Sequence, residues 1–267
     1  MRKWLKRIAS QAILAATILI AWGCSSQRFR EASEALGLVD ADPPAPLVLD
    51  IVCDHSRGAP CTRGNLNALL NNVLPEASDR PRSVVRLWMQ GDNFGTTQQI
   101  AERRVAQPSE PGRQAKAKYS KQWTKSSATF LMAAAEPYFK GKGPATSPIA
   151  EAFSKIALAG GRPGYAHSLV VITDGRQVSR FLGDFECGRL PTSDQFVRNL
   201  QSAGVLPPGS LSGTRVYFSY MSDGPIDADR CAATAERAEE IRALWSKALA
   251  RAGVAQVCFS VSSPAID

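Results

Sequence analysis

The sequence predicts an α/β domain, a doubly wound and mainly parallel sheet with one antiparallel edge strand and helices on both faces. Three observations carry this. Short apolar runs of strand length alternate with longer helical patterns from Leu47 onward. Two of those runs, Leu47–Cys53 and His167–Thr173, are each followed by an acidic residue, Asp54 and Asp174. The stretch after Pro46 is of a size that one such domain fills.

Leu47–Cys53 is short and apolar enough for a buried parallel strand, with Asp50 in its middle as an anomaly. Asn65–Leu74 reads as a helix and Ser83–Gln90 as a second strand. Gly91-Asp92-Asn93-Phe94-Gly95 has turn composition, so Thr96–Val105 is expected to return as the antiparallel edge. Gln114–Phe139 is a basic helix. Ser147 as N-cap and Pro148 at the first helical position open another, running to Ala159. After the strand His167–Thr173 and a loop carrying Cys187 come a helix near Ser193–Ala203 and a strand, Thr214–Tyr220. The long helix Ala232–Ala252 has Glu236, Glu239 and Glu240 early and Arg251 late, which suits its dipole, and Ala255–Val261 closes the sheet.

Ahead of the domain, Arg2, Lys3, Lys6 and Arg7 precede an uncharged run from Ile8 to Trp22, the layout of a signal peptide. A stable membrane span would want roughly 20 apolar residues. The run ends at Ala21-Trp22-Gly23-Cys24-Ser25-Ser26, which resembles a lipobox, with Trp22 and Ala21 departing from its usual residues. The resemblance implies lipidation of Cys24, and Ser25 after it favours the outer membrane in Gram-negative lipoproteins of this kind. The expected organisation is residues 1–23 as signal peptide, 24–46 as lipidated N-terminus and Pro-rich tether, and 47–267 as the domain.

The formal charge of +8 falls to about +4 once the four basic residues of the signal leave. Much of the rest lies between Ala101 and Lys142, where nine Lys or Arg face Glu102, Glu110 and Glu136. Only Tyr119 and Trp123 interleave its basic core, too few stacking platforms for a nucleic-acid groove, so the run is expected to be a solvated helix face and no nucleic-acid partner is expected. With Cys24 assigned to lipid, Cys53, Cys61, Cys187, Cys231 and Cys258 remain, an odd set in a compartment that permits disulfides. Cys187 and Cys231, in loops expected at one edge of neighbouring strands, are the disulfide candidates, and Cys53 and Cys258 read as buried apolar residues within strands. There is no Cys-x-x-Cys to suggest a redox pair or a zinc ribbon.

In an open α/β sheet, ligands bind outside the carboxyl ends of the strands where strand order reverses. Asp54 and Ser56 follow the first strand, Thr146 and Ser147 open a helix, and Asp174 follows the later strand in Thr173-Asp174-Gly175. Hard oxygen donors from three loops suit Mg²⁺ or Ca²⁺. In this order the residues resemble the metal-ion-dependent adhesion site of the von Willebrand factor A (vWA) family, over about Leu47 to Val261. Gly58 departs from the pattern, standing where a second Ser ligand belongs. The resemblance implies a metal site of Asp54, Ser56, Thr146, Ser147 and Asp174 holding Mg²⁺, Ca²⁺ or Mn²⁺, which accepts an exposed acidic side chain from a protein partner. It thus implies a membrane-tethered extracytoplasmic binding module, with a metal-free structural or assembly protein on a degenerate vWA fold as the alternative.

Catalytic readings find less support, and an enzyme is not expected. His55 and His167 are the only histidines, and His167 opens its strand, at the far end of the sheet from Asp54 and Asp174. His55 beside Ser56 lacks a Gly-x-Ser-x-Gly elbow and reads as a solvent-facing loop residue. A haloacid-dehalogenase phosphatase would want Asp in place of Ser56, and no phosphate-cradling Gly-x-x-x-x-Gly-Lys loop is present.

Overall fold

The computed structural model describes residues 44–56, 58–106, 113–180, 182–185, 189–221, 235–260, 264 and 266. The signal segment, Cys24, the tether as far as residue 43, and the disulfide candidates Cys187 and Cys231 lie outside them. The elements run β1 (Leu47–Cys53), α1 (Arg63–Ser78), β2 (Val84–Met89), β3 (Gln98–Arg104), α2 (Arg113–Lys140), α3 (Ile149–Ala159), β4 (Ala166–Ile172), β5 (Val178–Ser179), β6 (Gly183–Asp184), α4 (Ser193–Ser202), β7 (Arg215–Ser219), α5 (Ala235–Arg251) and β8 (Gln256–Phe259).

Six strands form one sheet in the order β3-β2-β1-β4-β7-β8. All neighbours are parallel except β2 and β3. The α/β class and the antiparallel edge are therefore as the sequence predicts. β1 and β2 are buried along their whole length, as the continuous apolar runs of central strands require, whereas β3 carries Gln98, Gln99, Glu102, Arg103 and Arg104. Charges on an edge strand discourage pairing with another chain.

On one face Val52, Trp88, Val171, Val216 and Phe218 of the strands meet Phe153 and Ile156 of α3, Phe196 of α4 and Trp245 of α5 in one apolar cluster. Helices α1 and α2 contact each other, and reach β1, β2 and β3. Exposed Lys118, Lys121, Lys125 and Lys140 on α2 make the basic run a solvated surface. Among the described residues no helix is long and apolar enough to cross a membrane.

The structure corrects the sequence reading at several points. α1 begins after Thr62, whose hydroxyl accepts from the Asn65 N–H (3.2 Å), and continues beyond Leu74 through Pro75 to Ser78 because Ala77 and Ser78 are themselves buried. Ser147 does not cap α3: Pro148 holds the N-cap position without a side-chain bond, and the Ala150 N–H donates instead to Gln177 Oε1 (2.9 Å). Cys53 is not simply an apolar filler but is joined to Cys61, with Cα atoms 5.4 Å apart, a spacing that suits a disulfide. Cys258 is likewise disulfide-bonded, to a partner outside the described residues.

The anomalous Asp50 also finds its explanation. Fully buried, its carboxylate accepts from Arg86 Nε (2.7 Å) and Nη2 (2.6 Å) and from Trp88 Nε1 (2.7 Å), and lies 2.7 Å from His167 Nε2. Thr214 Oγ1 is 3.1 Å from His167 Nδ1. Burial alone would raise the Asp50 carboxyl, but the hydrogen bonds and charges of His167 and Arg86 outweigh it and hold the group below its ordinary range.

A cleft at the carboxyl ends of β1 and β4

Strand order reverses between β1 and β4, since β2 and β3 lie on one side and β7 and β8 on the other. Such a reversal leaves a crevice at the strand ends, and the loops after β1 and β4 open there. Asp54, the first residue after β1, is still tied to the neighbouring strand by its N–H, which donates to the Ile172 carbonyl (3.1 Å). Its side chain is fully buried, with Oδ2 accepting from Ser147 Oγ (2.7 Å) and Thr173 Oγ1 (2.9 Å) and Oδ1 from the Ser56 N–H (3.1 Å). Asp54 is thus the post to which three loops are fastened.

Above it lies a cleft of about 330 Å³ whose lining includes Ser56, Lys142, Thr146, Ser147, Asp174 and Arg176. Four of the five expected ligands therefore face one space, and the fifth, Asp54, lies directly bonded beneath Ser147. A larger groove of about 1080 Å³ runs between α1 and α2, with Arg63, Lys121 and Lys125 on its walls, away from these loops.

Thr146, Ser147 and Asp174 of the lining are engaged with other protein groups. Thr146 Oγ1 donates to the Asp92 carbonyl (2.9 Å) in the turn after β2. Asp174 accepts from the Arg176 N–H at Oδ1 (3.0 Å), and its Oδ2 stands 3.7 Å from Arg176 Nε. Gly58 has φ of 79°, a left-handed conformation that explains glycine where the family pattern has Ser. Gly143 passes so close to the first loop that an added Cβ would lie 2.0 Å from the His55 carbonyl oxygen.

Sequence reasoning missed four residues here. Gln90, just past β2, donates from its backbone to the Cys53 carbonyl (3.0 Å) and from Nε2 to Ser147 Oγ (3.1 Å). Thr173 bonds Asp54, and Gln177 holds the first turn of α3 at two points, accepting from the Ala150 N–H (2.9 Å) and donating to Glu151 Oε2 (2.9 Å). Arg176, two residues beyond Asp174, brings a guanidinium whose side chain is only 10% exposed. A polar residue directly after a buried strand was the available signal for Gln90 and Thr173. Nothing local marks Gln177.

His55 is half-buried and edge-on to Tyr138, with ring centroids 5.6 Å apart, rather than solvent-facing. Burial lowers its pKa, and the nearby Asp54 only partly offsets that. Its ring makes no hydrogen bond to Ser56 among the described residues, and Nδ1 is buried without a partner, so the pair is not arranged as a nucleophile and base.

As arranged, the donor set does not fit a divalent ion. The Asp54 oxygens already accept three protein donors, the Thr146 hydroxyl is turned to Asp92, Asp174 faces a guanidinium, and Gly58 offers no hydroxyl. Two cationic side chains, Lys142 and Arg176, line the same cleft and would repel another cation. No protein-family model and no curated protein matches the chain, so its likeness to the vWA family rests on these loop residues and on the α/β class of the fold.

Proposed function

We propose that this chain is an exported, membrane-tethered binding module that recruits a protein partner by receiving one of the partner's acidic side chains in the cleft at the strand ends. One observation carries the reading. At the point where strand order reverses, loops converge on a cleft lined by the Ser56 hydroxyl, the Lys142 ammonium and the Arg176 guanidinium, the last with Asp174 at 3.7 Å as its described partner, and each of the three can donate a hydrogen bond to an acid. In this reading residues 1–23 direct export, lipid on Cys24 holds the chain at the outer membrane facing the periplasm, and residues 24–46 are the spacer. The half-buried His55, unbonded to Ser56, supports a binding role over a hydrolytic one.

A photo-crosslinking residue at Ala145, on the cleft wall, tests this in cells producing the full chain, with Gly164 at the opposite end of the sheet as control. A discrete protein adduct from position 145 and none from 164 is expected. Identical adducts from both, or none from 145, would remove the recruitment reading.

The divalent-ion version of the same module keeps one observation in its favour, that four expected ligands line one cleft. Thermal unfolding with EDTA and then with excess Mg²⁺, Mn²⁺ or Ca²⁺ separates the two. An ion-dependent rise in midpoint that disappears in Asp54→Ala and Asp174→Ala would restore it.

A further inference from the structure

We infer that the cleft binds a carboxylate directly, with the Arg176 guanidinium and the Lys142 ammonium occupying the electrostatic role that a divalent ion would otherwise fill. That the carboxylate belongs to a protein partner rests on the recruitment reading above; that the cleft takes an anion does not.

Arg176 is the anchor of the site. Its side chain is 10% exposed, yet its only partner among the described residues is Asp174, at 3.7 Å from Nε, a separation too long for a hydrogen bond. No Arg176 nitrogen is both buried and without a partner, so its free N–H groups stay in reach of water in the cleft that the residue lines, where a ligand's acceptor can replace that water. Lys142, exposed and also lining the cleft, makes no ion pair with a described residue, and the Ser56 hydroxyl donates to none.

The carboxylates near the cleft, by contrast, already have donors: Asp54 accepts from Ser147, Thr173 and the Ser56 N–H, and Asp174 from the Arg176 N–H, while Gln90 Oε1, beside Ser147, is buried without a partner. Spare cationic donors beside engaged carboxylates are complementary to an anion. A guanidinium presents two parallel N–H groups in the geometry of a carboxylate, which accounts for the ligand class. The carboxylates of Asp54 and Asp174 close by oppose a doubly charged phosphate, leaving a singly charged carboxylate as the anion that two cations can hold. Gly143, next in the chain to Lys142, packs against the first loop, so the segment carrying Lys142 is seated on the loop carrying Ser56.

The test uses the full chain in detergent micelles with EDTA present and N-acetyl-aspartyl amide as probe, its asparaginyl isostere as control, followed by thermal unfolding and by chemical-shift titration. Expected is saturable binding of the aspartyl compound alone, unchanged by Mg²⁺, and weakened at least tenfold in Arg176→Gln. Lys142→Glu, on an exposed position where folding is not at stake, is expected to weaken it at least as much. Binding that requires Mg²⁺, binding unaltered in Lys142→Glu, or a response to inorganic phosphate but not to the aspartyl probe would each overturn the inference. Crosslinks at Ala145 that depend on Mg²⁺ would sink this inference and leave recruitment standing. Metal-free probe binding with no crosslink would do the reverse.

Discussion

Asp50 occupies the middle of a strand with no exposed residue, and its cost is met by Arg86, Trp88 and His167 together. Asp50→Ala would strand a charged Arg86 that is itself only 8% exposed, and breaking a buried pair from one side costs about 3–5 kcal/mol, measurable by chemical denaturation. The acid limb of the stability curve should then show two steps. His55 has a folded pKa below its ordinary 6.5, so the unfolded chain takes up the proton more readily, and stability present above pH 6.5 declines as pH falls through that lower value. Asp50 likewise has a folded pKa below its ordinary 3.8, so its contribution is complete above that pH and is lost as pH falls through the depressed value. Unfolding midpoints from pH 8 to pH 2 should lose the upper step in His55→Phe and the lower one in Asp50→Asn. An unchanged profile in either variant would refute that assignment.

Among the elements, α5 couples the apolar interior to the cleft. Trp245 meets Phe153, Phe196 and Phe218 at centroid distances of 5.5–5.7 Å, and its Nε1–H donates to the Gly175 carbonyl (2.8 Å) in the loop bearing Asp174 and Arg176. Trp245→Ala is expected to cost about 3–5 kcal/mol, and Trp245→Phe to weaken aspartyl-probe binding while sparing most of that stability, both read on the same samples. The central strands β1, β2 and β4 were legible because they are mostly apolar on both faces, a signal that survives without knowledge of neighbours, and the polar edge β3 followed from the turn before it. Helix ends were less so. Pro75 reads as a stop, yet burial of Ala77 and Ser78 carries α1 past it, and Ser147 reads as a cap although Asp54 and Gln90, distant in sequence, claim its hydroxyl. The loop residues around Asp54 could be named from their order after the strands. Their engagement could not, because partners such as Asp92 for Thr146 lie far along the chain.

At the scale of the molecule, the reversal between β1 and β4 sets where a ligand can enter, and the disulfide sets how firmly one side of that entrance is held. Cys53 and Cys61 enclose the whole first loop, Asp54, His55, Ser56 and Gly58 included. Closing so short a ring is worth about 2–3 kcal/mol by the chain-entropy account, so replacing both cysteines by Ala should lower the denaturation free energy by that amount and loosen probe binding, without changing the secondary structure seen by circular dichroism. The ring also dates the protein's competence. Thiols stay reduced in a cytosol of ordinary redox poise and are joined outside it, so a newly made chain would carry every residue of its cleft before it carried the cleft's fixed shape. Under the export and recruitment proposed above, oxidation would then delay engagement of a partner until the chain had left the cytosol.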